Sequence, residues 1–387
     1  MLHIDPWSMF LQEPPPRCFH QQLGRYAASS ISIKEEDFRP VGHHHPRLNT
    51  PSFAFQISPQ AKPISRRMNI QVSDLVVKTT DKPRAKVPAS ELKFGQTFTD
   101  HMLMIKWRNE AYKSSDGTIR LFRPEMNMKR MNQSARRLAF PSFDGDRVLE
   151  LIKKLVELEG QWIPTEPGHS LYVRPTIIGT GAGLGVGPPS ELTLFVICSP
   201  VGPYYRTGFK PVSLLASSKY CRAWPGGSGA FKLGANYPTG FLPQMEANND
   251  GYEQILWLFG ENDNLTEVGT MNLFVALEDA SGTLELVTPP LDDKILPGVT
   301  RDSVLELLRD HLNGSQRLDG FQLSHLKEVF GTGTAAIVSS VERIGYKGKD
   351  IHIPVGPSGL GLFASVVQRE ILGRQTGEIP SDWAVVV

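Results

Sequence analysis

The feature that most constrains this chain is an alternation of two apolar periods. Short apolar runs bounded by Gly and Pro alternate with longer stretches whose apolar residues recur every three to four positions. Runs at 170–180, 191–199, 212–216, 254–259, 272–277 and 335–341 predict strands. Pro200 is expected to end the second of these. Looser candidates lie at 71–78 and 98–107. Three stretches predict amphipathic helices. Residues 144–159 place Val148, Leu151, Ile152, Leu155 and Leu158 on one face, with Gly160 as the stop. Residues 301–313 align Val304, Leu305, Leu308 and Leu312 before Gly314, and 360–372 align Leu360, Phe363, Val367 and Ile371. Interleaved strands and helices imply a mixed α/β fold.

A chain of 387 residues exceeds one small domain. Residues 1–68 are rich in Pro, Ser, Gln and His without sustained periodicity, and read as a disordered or targeting tail. Its arginines and the segment 25–30 (RYAASS) resemble a mitochondrial presequence, although Asp5 and Glu13 run against that pattern. The expected compartment is the mitochondrial matrix rather than the cytoplasm. The His43-His44-His45 run reads as a solvated polar tract, so no metal is expected. The loop 200–211 (PVGPYYRTGFKP) holds three prolines and two glycines. It divides a smaller domain, 69–199, from a larger one, 212–387.

A net charge of +1 gives no electrostatic case for nucleic acid or an anionic membrane. No run approaches the roughly 20 apolar residues of a membrane span. The chain is therefore expected to be soluble and intracellular. Cys18, Cys198 and Cys221 lie too far apart for a CxxC pair, and Cys198 sits in an apolar run as an inert thiol.

Four segments carry candidate chemistry. In 226–237 (GGSGAFKLGANY), Lys232 lies between Phe231 and Leu233 with glycines on either side. Such a setting lets backbone approach a planar ligand and lowers an amine pKa by desolvation. In 265–274 (LTEVGTMNLF), Glu267 precedes an apolar strand, where an acid is either solvated or faces a buried base. In 296–301 (LPGVTR), a glycine turn opens a helix, which either caps it through Thr300 or binds an anion. In 331–336 (GTGTAA), a small-residue loop ahead of a strand can also present amides to an anion.

These segments, with FGQTFTDHML, NMKRMNQSA, SLYVRPTIIGT, SPVGPYY and TPPLDDKILPGVTRDSVLEL, resemble the branched-chain amino acid aminotransferases, most closely the fungal branch. The resemblance spans most of 94–387. It implies a two-domain, fold type IV structure of the D-amino-acid-aminotransferase kind, pyridoxal 5′-phosphate as cofactor, and a homodimer. It also implies reversible amino transfer between L-leucine, L-isoleucine or L-valine and 2-oxoglutarate, giving branched-chain 2-oxo acids and L-glutamate.

Roles follow from the same resemblance. Lys232 matches the lysine that holds the cofactor and moves the substrate proton. Tyr237 matches the tyrosine at the cofactor's phenolic oxygen, and Glu267 the acid at its ring nitrogen. Arg130, Val299, Thr300 and Thr334 match the phosphate cup. Thr270 and Ala335 match the positions binding the substrate carboxylate. Tyr172 and Arg174 line the substrate pocket, the arginine facing the distal carboxylate of glutamate, and Tyr204 belongs to a loop closing over substrate.

The family pattern has roughly forty more residues between Trp107 and the segment 116–122, and a few more near 320–325. The redox CxxC of the mammalian-type members is absent, its positions holding Ala336 and Ser339, so no thiol switch is expected there. Two other readings stay open at this point. One is a cofactor-binding relic or splice isoform with impaired turnover. The other is a D-amino acid transaminase or aminodeoxychorismate lyase of the same fold.

Overall fold

In the computed structural model, the described residues are 83–92, 97–101, 109–113, 117–181, 183, 185–203, 210–278, 282, 284–311 and 326–387. The expectations for the tail, for 71–78, for most of 98–107, for the His run and for Tyr204 lie outside them; residues 98–101 form no strand.

The first part of the chain supplies β1 (Asn109–Lys113), β2 (Ile119–Phe122), α1 (Pro124–Arg137), α2 (Gly145–Leu158), β3 (Ser170–Gly179) and β4 (Leu192–Val201). The second supplies β5 (Val212–Ser217), α3 (Phe241–Asn249), β6 (Gln254–Phe259), β7 (Asn264–Val268), β8 (Met271–Glu278) and β9 (Leu284–Val287). The chain then runs through α4 (Val299–His311), β10 (Leu326–Gly333), β11 (Ile337–Tyr346), β12 (Lys349–His352), α5 (Leu362–Thr376) and β13 (Ala384–Val386).

Two sheets result. One has the order β13-β2-β1-β3-β4, so the C-terminal strand returns to pair with β2. Its core packs α1 and α2 through Met128, Val148, Ile152 and Val156. Asp144 caps α2 by accepting from the Asp146 and Arg147 amides, as Asp does at an N-cap. The other sheet runs β10-β11-β5-β6-β7-β8-β9, with β12 on β11. Pairing of β10 with β8 closes six of its strands into a ring, which leaves them without open edges. Alternation along β8 separates two cores. Leu273 and Val275 join one, and Phe274 and Ala276 join the other beneath α4 and α5. Phe274 stacks on Phe330, its cross-strand partner, at 5.1 Å.

Several expectations need correction. The strand expected to stop at Pro200 runs on to Val201, with Pro200 opposite Leu171. It is the edge of its sheet, where proline's missing N–H costs no ladder bond. The segment 331–336 is not a loop throughout: Gly331, Thr332 and Gly333 finish β10, and only 334–336 turn. The next strand starts at Ile337 rather than at 335. α4 starts at Val299, so Thr300 lies inside its first turn and is not its cap. α5 starts at Leu362 and runs to Thr376, ending at Gly377 in the left-handed region.

Candidate active site

The catalytic candidates gather where β7 turns into β8 and β10 into β11. β10 and β8 are antiparallel, with Thr332 opposite Asn272, which brings both turns to one end of the ring. A cavity of about 370 Å³ opens there. Its walls include Lys232, Tyr237, Arg130, Tyr172, Arg174, Thr270, Thr334 and Ala335. This volume lies within the roughly 300–1,000 Å³ of small-molecule sites.

Lys232 sits on the segment between β5 and α3. Its backbone N–H donates to Ser134 Oγ at 2.9 Å, which ties the segment to α1. Its Nζ stands 5.4 Å from the centre of the Tyr237 ring. Behind it a smaller recess is lined by Arg222, Gly229, Trp257, Glu267, Thr270 and Leu296, together with Lys232 and Tyr237. Gly229 admits no side chain, because a Cβ would stand 2.3 Å from that of Ala223.

Glu267 forms the floor of this recess and is 2% exposed. It lies within β7, so the expectation of an acid just before the strand is sharpened: the carboxylate faces inward. Oε2 meets an Arg222 guanidinium nitrogen at 2.7 Å. Oε1 accepts from the Leu296 amide at 2.7 Å and from Asn272 Nδ2 at 3.1 Å. Burial pushes the Glu267 carboxyl up to about 7, against the pull of Arg222, the Leu296 amide, Lys232 and Arg301. The acid therefore stays ionisable near neutral pH although it is buried.

Arg130 projects from α1 into the cavity. It donates to the Pro297 carbonyl and to Asn127 Oδ1, both at 3.0 Å. Pro297 lies two residues before the first residue of α4, so Arg130 and the buried Val299 and Thr300 meet at one helix start. Val299 and Thr300 do not line the cavity walls described. What they offer is backbone N–H groups in the first helical turn. A Cβ at Gly298 would lie 2.1 Å from Asn272 Oδ1, so this approach demands glycine. Across the cavity, Arg174 reaches Tyr172 OH at 3.5 Å, while its buried Nε has no partner among the described residues.

Of the predicted site residues within the described region, the structure gathers Lys232, Tyr237, Arg130, Tyr172, Arg174, Thr270, Thr334, Ala335 and Glu267 around the cavity and its recess, while Val299 and Thr300 stand at the α4 start beside Arg130 and line neither. Sequence reasoning missed Arg222, Asn127, Ser134 and Asn272. Arg222 opens the RAWPGGSGAF segment, but nothing in its local sequence indicates that it faces Glu267.

A family model for class IV amino-transferases matches residues 109–344. The branched-chain-amino-acid aminotransferase of Dictyostelium discoideum is 44% identical over 364 residues, covering 82% of this chain and 96% of that protein. The chain belongs to the branched-chain aminotransferase family. The cytosolic enzyme of Saccharomyces cerevisiae is likewise 44% identical, over 367 residues, with 82% and 98% covered; the mitochondrial enzyme of that yeast is 43% identical, with 82% and 93% covered. Among solved structures, the Escherichia coli branched-chain aminotransferase aligns at TM-score 0.59 and 28% identity, covering 73% of this chain and 89% of that one. The Thermobaculum terrenum enzyme in its PLP-form aligns at TM-score 0.59 and 19% identity, covering 74% and 89%, a likeness that speaks to the fold alone. The 364 aligned positions exceed 82% of 387 residues, so part of the aligned relative has no counterpart in this chain.

Proposed function

We propose that this aminotransferase interconverts L-leucine, L-isoleucine and L-valine with their 2-oxo acids, using 2-oxoglutarate as amino acceptor and pyridoxal 5′-phosphate as cofactor. The observation that carries the reading is the convergence of an amine, two phenols and two guanidiniums on one cavity, with a buried carboxylate and its guanidinium partner in the recess behind it. The donor set fits the cofactor. Lys232 would hold it covalently, Tyr237 would donate to its phenolic oxygen, and Glu267 would face its ring nitrogen. Arg130, the Val299 and Thr300 amides and Thr334 suit its phosphate. When bound, pyridoxal 5′-phosphate supplies an electron-accepting ring and a carbon that carries the amino group between substrates.

The chain's own groups do the rest. Lys232 Nζ takes the proton from substrate Cα and later returns one, a step suited to a partly desolvated amine. Glu267, paired with Arg222, would keep a proton on the cofactor's ring nitrogen. Thr270 and Ala335 bind the substrate carboxylate. Arg174, with Tyr172, accepts the distal carboxylate of glutamate and tolerates an apolar side chain in its place. A single methylene is worth only about 1–3 kcal/mol, so the three branched-chain substrates should turn over at similar rates.

Purified protein loaded with the cofactor is expected to lose its long-wavelength absorption on adding L-leucine and to regain it on adding 2-oxoglutarate. Indifference to leucine with cofactor bound would favour the second reading, binding without turnover, which the missing aligned positions support. A homodimer is part of the proposal. Phe241 lines the cavity yet is 65% exposed, and Leu242 and Met245 beside it on α3 are also exposed. A second copy would cover them, and light scattering tests the mass. Matrix residence is the compartment the arginine-bearing N-terminal segment favours, and fractionation with mitochondria is its test.

A further inference from the structure

Arg123 belongs to no cavity wall described above, yet its bonds reach three parts of the fold. It is the residue before α1, at φ 43° and ψ 50°, and is 8% exposed. A bulky side chain in the left-handed region, directly before a proline, persists only where surrounding contacts enforce it. Those contacts are specific. Its guanidinium donates to Ser303 Oγ at 3.0 Å and to Glu306 Oε2 at 2.9 Å, and pairs with Asp302 at 3.1 Å. All three acceptors stand on the first two turns of α4. The guanidinium also lies 4.4 Å from the centre of the Trp383 ring, and its backbone N–H donates to the Trp383 carbonyl at 2.7 Å.

The two walls of the proposed phosphate cup belong to different helices. Arg130 rides on α1, and the Val299 and Thr300 amides open α4. Arg123 stands seven residues before Arg130, at the N-cap of the helix that carries it. A relay joins them: Asn127 Nδ2 donates to the Arg123 carbonyl at 3.3 Å, and Arg130 donates to Asn127 Oδ1. On the other helix, Ser303 Oγ donates back to the Val299 carbonyl at 2.9 Å. Arg123 thus bonds both helices within two turns of each wall.

We infer that Arg123 is a positioning residue for the cofactor phosphate: it fixes the spacing between Arg130 and the α4 start without touching the ligand. The inference rests on the proposed cofactor site. A displacement of about 1 Å in such a site can cost up to a hundredfold, so a clamp two turns away has leverage.

The test compares two ligands on the full chain freed of cofactor: pyridoxal 5′-phosphate, and pyridoxal, which keeps the ring and aldehyde but lacks the phosphate. Arg123→Met should weaken the first by about tenfold or more and leave the second within about twofold. Arg123→Lys, which keeps the charge but not the fork, should fall between. Equal weakening of both ligands would mean a merely structural role and overturn the inference, as would unchanged affinity for both. If Arg123→Met does not fold, the double variant Asp302→Asn, Glu306→Gln takes its place. Both carboxylates are about half exposed, at 48% and 46%. The same phosphate-selective loss is expected there, and its absence overturns the inference. A wild-type chain that binds neither ligand would overturn the proposed function itself, and this inference with it.

Discussion

Arg222 and Glu267 meet at 2.7 Å beneath the cavity, with both side chains almost out of solvent. The guanidinium also donates to the Lys294 carbonyl at 2.7 Å, so it is held from two sides. Removing one member of a buried pair leaves the other charge stranded, which costs about 3–5 kcal/mol. Arg222→Met should therefore lower stability by that amount in chemical denaturation and shift the acidic limb of the rate profile toward higher pH, because Glu267 loses the cation that favours its ionised form. Arg222→Lys should recover part of both. A variant as stable as the parent would show the pair to be inert.

Glu267 also gives the cofactor-free protein a pH dependence whose sign can be worked out. Its folded pKa stands near 7, above the ordinary carboxylate range, because it is buried. Between about pH 4.5 and 7 the folded protein then binds more protons than the unfolded chain, so stability falls as pH rises through that window. Glu159 and Glu328 are raised by burial as well and act in the same direction. Glu267→Gln isolates the first contribution. Its unfolding free energy in urea should depend less on pH than that of the parent, by about 1–3 kcal/mol across the window. Parallel curves for the two proteins would refute this.

Which elements were legible follows from where their apolar residues point. α2 announces itself because its inner face is Val148, Leu151, Ile152 and Leu155, an unbroken apolar stripe. α1 was not foreseen, although it carries Arg130. Its buried face includes Asn127 and Ser134, which bond Arg130 and the Lys232 backbone, so the function it serves erases the periodicity. α3 was hidden for the opposite reason: Phe241, Leu242 and Met245 lie outside and only Pro243 and Ala247 inside. In the site, Lys232 and Glu267 were legible through a resemblance covering whole segments. Arg222 was not, because a contact between residues so far apart in the chain leaves no local trace.

Arg174 bears on substrate choice. Its Nε is buried without a partner among the described residues, an arrangement that favours an incoming carboxylate over an empty pocket. Arg174→Met should raise KM for 2-oxoglutarate by about tenfold or more and leave that for leucine within about threefold. Steady-state kinetics with each substrate varied in turn measures the split. Equal increases for both substrates would place Arg174 away from the distal carboxylate.

Glu328 holds the C-terminal helix by its first turn. It is buried on β10, and its two oxygens accept from the Phe363 and Ala364 amides at 2.9 and 2.8 Å. These are orphan donors at the α5 N-terminus, where Gly361, the residue at the cap, offers no side-chain bond. Gly361 must lack a side chain here, since a Cβ would lie 2.1 Å from the Glu328 carboxyl carbon. Glu328 thus does from a neighbouring strand what a capping side chain does locally. Glu328→Gln replaces one acceptor with a donor facing an N–H, and should cost about 1–2 kcal/mol. Gly361→Ala should cost a similar amount by forcing the carboxyl aside. Because α5 leads into β13, which closes onto β2, both variants should speed amide exchange in α5 and β13 while leaving β5 to β8 protected. Uniform acceleration across the chain, or none in α5, would show that the helix is held by its apolar face alone.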